Sequence, residues 1–253
     1  MKHFKIIYLG IILLNTSLVF ANGQHQLIDS AANFYAASQF EKAIAAYQQV
    51  IDNGYESAEL YYNLGNAYYK SNKIPLAITN YERALKLAPG DEDILFNLQL
   101  ANTHVVDKIE VIPEFFLTSW WNRFIQLFSS NQWALISIST FVAGLVLLLV
   151  FFLSGRVVAR KLSFWMAVLL ILASIFAFNF SRKQKWFALN EPEAIIMTPS
   201  IVVKSAPSET GTELFLIHEG LKVKVTDKLG DWREIKLSDG NKGWVKQDDL
   251  IVI

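Results

Sequence analysis

The chain has 253 residues, no cysteine, and equal numbers of acidic and basic side chains, 23 of each. Without cysteine there is no disulfide framework, thiolate nucleophile or sulfur-ligated zinc, and four histidines (His3, His25, His104, His218) fall at no ligand spacing. The zero net charge hides a partition: 6 basic and 11 acidic residues over 24–110, 7 and 1 over 111–190, and 8 and 11 over 191–253. Basic membrane-associated stretches alternating with acidic water-soluble ones are the expected arrangement.

Residues 1–21 open with two lysines, continue as an apolar run from Ile6 to Phe20 and end in Val19-Phe20-Ala21. This is the layout of a secretory signal with cleavage after Ala21, an uncleaved anchor being the competing reading. The next domain is therefore expected outside the cytoplasm.

Residues 24–110 carry a repeat. Tyr61, Leu64, Gly65 and Tyr68 mark a first helix, Ala77 and Tyr81 a second, and Pro89 closes the unit. Thirty-four residues upstream, Ala31, Phe34, Ala43 and Tyr47 occupy the positions of Gly65, Tyr68, Ala77 and Tyr81. That spacing and pattern resemble the tetratricopeptide (TPR) signature, with small residues where two helices touch and tyrosines filling the space between them. Leu95 and Leu98 continue the register into one further helix, expected as a terminal cap. First helices line the concave face of such a stack. Asp29, Asn63 and Asn97 recur there at period 34, Asn66 follows Asn63 by one turn, and Tyr62 and Tyr69 flank it. Side-chain amides in that place can hydrogen-bond an extended peptide backbone. The alternative is that they only bridge neighbouring helices.

Over 113–130, Leu117, Trp120, Trp121, Phe124, Ile125 and Phe128 recur at helical spacing opposite Asn122, Arg123 and Gln126. This predicts an amphipathic helix lying along the membrane surface, the competing reading being a soluble helix packed on the repeats. Segments 133–153 and 162–180 carry no charge and are long enough to cross a hydrocarbon layer of about 30 Å. Three basic residues in loop 154–161 (Arg156, Arg160, Lys161) are matched by three after the second segment (Arg182, Lys183, Lys185), so the positive-inside rule ties, and the exported amino end is what places the loop in the cytoplasm. Both soluble modules then share the opposite, periplasmic side of a bacterial inner membrane.

From residue 191 the period changes to alternation punctuated by turns at Pro199-Ser200, Glu219-Gly220, Gly230-Asp231 and Asp239-Gly240. Seven short strands and a small barrel are expected over 191–253. Gly230-Asp231-Trp232, Asp239-Gly240 and Gly243-Trp244-Val245 resemble bacterial SH3-like domains. Alternation sends Ile235 and Leu237 inward and Trp232 to the opposite face, where it is a candidate ligand platform or is covered by a loop. Lys246-Gln247-Asp248-Asp249 brings no proline or tyrosine, which argues against a proline-peptide groove.

The fold class expected is thus multidomain: an α-helical TPR solenoid, a two-helix transmembrane hairpin and a small all-β SH3-like domain. No nucleophile–base pair, phosphate loop or metal cluster is legible, so a non-enzymatic protein without cofactor or nucleic-acid partner is expected. The layout as a whole closely resembles the BatE proteins of the Bacteroides aerotolerance operon. It runs through Asp91-x-Asp93-Ile94-x-x-Asn97-Leu98, Val106-Asp107-Lys108-Ile109, Pro113-Glu114-Phe115-Phe116-Leu117 with Trp120-Trp121, and Ser130-Asn131-Gln132-Trp133. That resemblance implies an inner-membrane scaffold acting beside membrane-anchored von Willebrand A domain proteins and, indirectly, a MoxR-type AAA+ ATPase, in oxygen or stress tolerance. The alternative is an envelope sensor that binds peptidoglycan peptides through the SH3-like domain.

Overall fold

The computed structural model describes residues 26–109, 116–190 and 192–253. The signal segment 1–21, its cleavage point and Pro113 lie outside these residues.

The amino-terminal third is a stack of antiparallel helices: α1 (residues 26–36), α2 (Phe40–Asp52), α3 (Ala58–Lys70), α4 (Ile74–Leu87) and α5 (Glu92–Asn102). Local chemistry sets the ends. Ser57 caps α3 by accepting from the Leu60 amide at 3.1 Å, Pro75 sits in the first turn of α4, and the Asp91 carboxylate caps α5 by accepting from the Asp93 and Ile94 amides. The repeat is visible in the backbone as well. Ser38 and Asn72, 34 positions apart, both adopt the left-handed conformation (φ 57° and 58°) in the turns joining α1 to α2 and α3 to α4. Matching hydrogen bonds close the two turns, Gln39 N–H to Phe34 O and Lys73 N–H to Tyr68 O.

The predicted small and large residues interlock. Ala31, Ala43, Ala77 and Gly65 are buried, with Tyr47 and Tyr81 filling the space between helices. A Cβ on Gly65 would stand 2.7 Å from two ring carbons of Tyr81, which is itself fully buried and has nowhere to move. The close approach of α3 and α4 depends on that missing methyl.

Two long apolar helices form an antiparallel hairpin, α7 (Ser130–Leu153) and α8 (Val157–Asn190). Both are long and apolar enough to cross a membrane. Ser129 and Gln132 make a reciprocal capping box that starts α7. Pairs of small residues let the helices meet along their length: Ser130 with Ser181, Ser137 with Ser174, and Gly144 against Ala167 and Ile171. The 34 residues of α8 extend about 51 Å at 1.5 Å per residue, well beyond a hydrocarbon layer of about 30 Å. Its last turns carry Arg182, Lys183 and Lys185. The amphipathic helix α6 (Phe116–Gln126) lies across the open end of the hairpin.

The carboxy-terminal domain is one antiparallel sheet of seven strands in the order β3-β2-β6-β5-β4-β1-β7. The strands are β1 (Glu193–Ile196), β2 (Ser200–Lys204), β3 (Glu213–His218), β4 (Lys222–Leu229), β5 (Trp232–Lys236), β6 (Lys242–Lys246) and β7 (Leu250–Val252). Alternation sorts Val203, Ile217, Val223, Val225, Ile235 and Val245 into its core.

This β-domain is docked on the repeats. Ile195 of β1 is fully buried in the same apolar cluster as Ile78 of α4, with Val105, Met197 and Ile253 around it. Gly220 reaches so close that a Cβ there would meet Val105 at 3.0 Å and Ile78 at 3.4 Å. Polar contacts frame the patch. Lys222 Nζ lies 2.9 Å from both Glu82 of α4 and Glu193 of β1. Lys86 Nζ donates to Ile253 O at 2.6 Å, and the Asp107 carboxylate accepts from the His218 amide at 2.6 Å and meets its Nδ1 at 2.9 Å. Burial alone would depress the Lys222 ammonium, but the Glu82 and Glu193 carboxylates reverse this and hold it above its ordinary 10.5. Its contribution to docking is present at neutral pH and is lost only as pH rises beyond 10.5 through that raised value.

Two variants test this packing. Gly65→Ala should destabilise the repeats by about 1–3 kcal/mol through overpacking against Tyr81, seen as a lower melting temperature of the full chain in detergent. Lys222→Met strands Glu82, whose side chain is 9% exposed, beside Glu193. It should cost about 1–3 kcal/mol, below the usual range for breaking a buried pair because the Lys222 side chain is 37% exposed. The readout is faster proteolysis between residues 103 and 109.

Candidate functional site: the concave face of the repeats

The concave side of α3 and α5 encloses a cavity of about 260 Å³ lined by Tyr35, Tyr62, Asn66, Tyr69, Lys70, Tyr81, Asn97 and Leu100. Four of the residues singled out in the sequence, Tyr62, Asn66, Tyr69 and Asn97, meet here. Asp29, exposed on α1, and Asn63, half-buried on α3, do not line it. Sequence reasoning did not name Tyr35, Lys70, Tyr81 and Leu100 for this face. The same 34-residue period could have found two of them, since Tyr35 is equivalent to Tyr69 and Leu100 to Asn66.

A hydrogen-bond network fixes the amides. The Tyr81 hydroxyl donates to Asn66 Oδ1 at 2.8 Å. Asn97 Nδ2 donates to the same oxygen at 3.0 Å and to the Tyr62 hydroxyl at 2.8 Å. The two asparagines thus bridge α3, α4 and α5, and they also face the cavity. With Asn66 Oδ1 saturated and Asn97 Nδ2 engaged, the Asn66 amide nitrogen and the Asn97 carbonyl oxygen have no partner among the described residues. One donor and one acceptor on neighbouring helices match the two hydrogen-bonding groups of a peptide unit. Tyr62 and Tyr81 pack with ring centroids 6.1 Å apart, and the Tyr69 hydroxyl shares a 3.2 Å hydrogen bond with His104 Nε2. Burial, reinforced by the nearby tyrosine hydroxyls of Tyr62, Tyr35 and Tyr69, pushes the Tyr81 phenol far above its ordinary value. Its proton stays in place to hold Asn66 at any physiological pH.

Beyond the cavity the concave row continues onto α5, where Phe96 (the equivalent of Tyr62) is 65% exposed. The groove therefore has a polar centre and an apolar end.

Trp232 lies at the start of β5, opposite Lys246 of β6. It is half-buried, and the Lys246 ammonium sits 6.0 Å from its ring centroid. That cation covers a face of the ring which a ligand would otherwise use. Among the described residues no group of three or more histidine, aspartate or glutamate side chains could hold a metal ion.

Residues 29–92 match the tetratricopeptide repeat family model, so the helical stack is a TPR region. No curated protein matches the chain. Among solved structures, the crystal structure of an NlpC/P60 family protein from Bacillus cereus aligns with 21% identity and a TM-score of 0.21. The alignment covers 27% of this chain and 23% of that one, so this chain spans about a quarter of that protein's length.

Tyr81→Phe deletes one donor to Asn66 without changing volume. It should cost about 0.5–1.5 kcal/mol at neutral pH, measured as a loss of melting temperature. The gap from the unsubstituted protein should narrow as pH rises past 10.0, because the raised Tyr81 value makes the native state lose stability there and phenylalanine cannot titrate.

Proposed function

We propose that this protein is a membrane-anchored scaffold of the cell envelope whose TPR groove holds an extended segment of a neighbouring protein. The observation that carries this is the oriented pair of unspent amide groups, Asn66 Nδ2 and Asn97 Oδ1, set among tyrosines in an open groove. Backbone-directed hydrogen bonds give grip with little sequence demand, and the surrounding rings supply apolar contact. The protein is read as non-enzymatic: it presents, positions and holds.

The same-side arrangement is supported by two features. The hairpin returns the chain to the side it came from, and the β-domain is docked directly on α4. With an exported amino end, the TPR region and the SH3-like domain share the periplasm and loop 154–161 is cytoplasmic. By its resemblance to BatE proteins the scaffold serves a Bat-type complex, with von Willebrand A domain membrane proteins as partners and a MoxR-type ATPase acting indirectly.

The test is recovery of co-purifying membrane proteins from detergent extracts. Asn66→Ala combined with Asn97→Ala should abolish recovery of von Willebrand A domain partners; because the pair also removes the hydrogen bonds to Tyr81 and Tyr62, Tyr81→Phe, which weakens the same network but keeps both amides, is the control and should retain the partners. Recovery unchanged by the pair would sink the groove assignment. Cysteines introduced at Ser71 and Ser238 should both react with an impermeant maleimide in intact cells once the outer membrane is permeabilised; labelling of one alone would overturn the shared side.

A further inference from the structure

Helix α6 presents three faces. Toward the hairpin, Ile125 is buried with Trp133, Ala177 and Phe180, and Trp121 meets Phe180 edge-on at 5.5 Å. Trp133 Nε1 donates to Ile125 O at 2.7 Å, while Gln184 Nε2 donates to Ile125 O at 2.5 Å and Phe128 O at 2.7 Å. These bonds occupy carbonyls left over at the end of α6 and bind it to both α7 and α8. A second, polar face carries Thr118, Asn122 and Gln126 at spacing four. The third face is apolar and uncovered: Trp120 is 62% and Leu127 56% exposed, with Phe124 stacked on Trp120 at 6.3 Å.

At 100° per residue, Trp120 and Phe124 lie about 40° apart on a side of α6 that adjoins the hairpin face, and exposed Leu127 follows in the turn after the helix. The uncovered surface is therefore continuous with the outward apolar surface of α7 and α8, which cross the membrane. Only one surrounding medium satisfies both: the zone where acyl chains meet headgroups. Charge points to the kind of lipid. Residues 116–190 contain seven basic side chains and no acidic one. Arg182 and Lys185 are exposed on the turn of α8 that carries Gln184, and so lie level with α6.

We propose that the Trp120–Phe124–Leu127 face of α6 is embedded in the membrane interface and that Arg182 and Lys185 bind the phosphates of anionic phospholipids beside it. The bilayer is then a partner that fixes the attitude of the repeats, because Leu127 O lies within 3.9 Å of a Cβ position on Gly90, in the α4–α5 turn. The claim rests on α7 and α8 crossing a membrane and is independent of what the TPR groove binds.

The absence of cysteine makes the test direct. Full-length protein with one nitroxide-labelled cysteine at Trp120, Leu127, Thr118 or, as an aqueous reference, Ser238 is placed in nanodiscs of phosphatidylcholine, with or without phosphatidylglycerol. Collision with oxygen is compared with collision with a nickel chelate. The expected result is several-fold oxygen preference at 120 and 127 and nickel preference at 118 and 238. Phosphatidylglycerol should raise the oxygen preference at 120 and 127, and Arg182→Gln with Lys185→Gln should remove that increment alone. Nickel access at 120 equal to that at 238 would overturn the embedding. Shielding of 120 from both reagents would overturn it too, because it would mean that a protein or a second copy covers the face. An increment that survives the double substitution, or no increment, would overturn the headgroup assignment.

Discussion

The arrangement of the whole molecule depends on the contact between α4 and the edge of the β-domain. A TPR array must cover the apolar face of its last hairpin, and the usual device is an extra helix with a polar outer side. Here α5 covers part of that face, and Ile195, Met197 and Ile253 cover the rest. The β-domain is consequently part of the core of the repeats. Glu82 and Lys222 mark the boundary with a charge pair whose second carboxylate, Glu193, comes from the β-domain itself. The Glu82 carboxylate, with its side chain 9% exposed, gains the Lys222 ammonium only when the two modules are together, so the contact favours this one docking geometry.

Helix α4 connects this dock to the groove. Tyr81 points from it toward Asn66, while the next residue, Glu82, points to Lys222. One rigid helix therefore holds the floor of the candidate binding site on one side and the β-domain on the other. The concave face stays open because the accessory domain took the opposite side. The division leaves one surface committed to the protein's own architecture and the other open.

Much of the architecture was legible because it follows from local rules. Gly65 lies against Tyr81, and Ala31 and Tyr47 hold the equivalent small and large positions 34 residues earlier, so the volume constraint repeats with the period. Strand alternation from residue 193 sorts Ile235 and Leu237 from Trp232 without knowledge of partners. The amide cluster was half legible. Period 34 brought out Asn97 and its neighbours, but the row Asp29–Asn63–Asn97 divides, because only the last of these turns into the cavity. The contribution of Tyr81 was hidden by its role as a core residue: its ring fills the helix interface while its hydroxyl reaches the groove. The docking of the two modules could not be read. It depends on single residues of different elements, Ile78 with Ile195 and Asp107 with His218, whose meeting is set by tertiary geometry and leaves no periodic trace.

The length of α8 bears on how strong that dock must be. It runs unbroken to Asn190, and β1 begins at Glu193, so only two residues join a stiff rod to the β-domain. So short a tether keeps the two surfaces near each other whether or not they touch, at an effective concentration on the order of millimolar or above. Under that condition an interface far smaller than two free proteins would need is enough to stay closed. Separating the halves onto different polypeptides should expose how little intrinsic affinity the contact has.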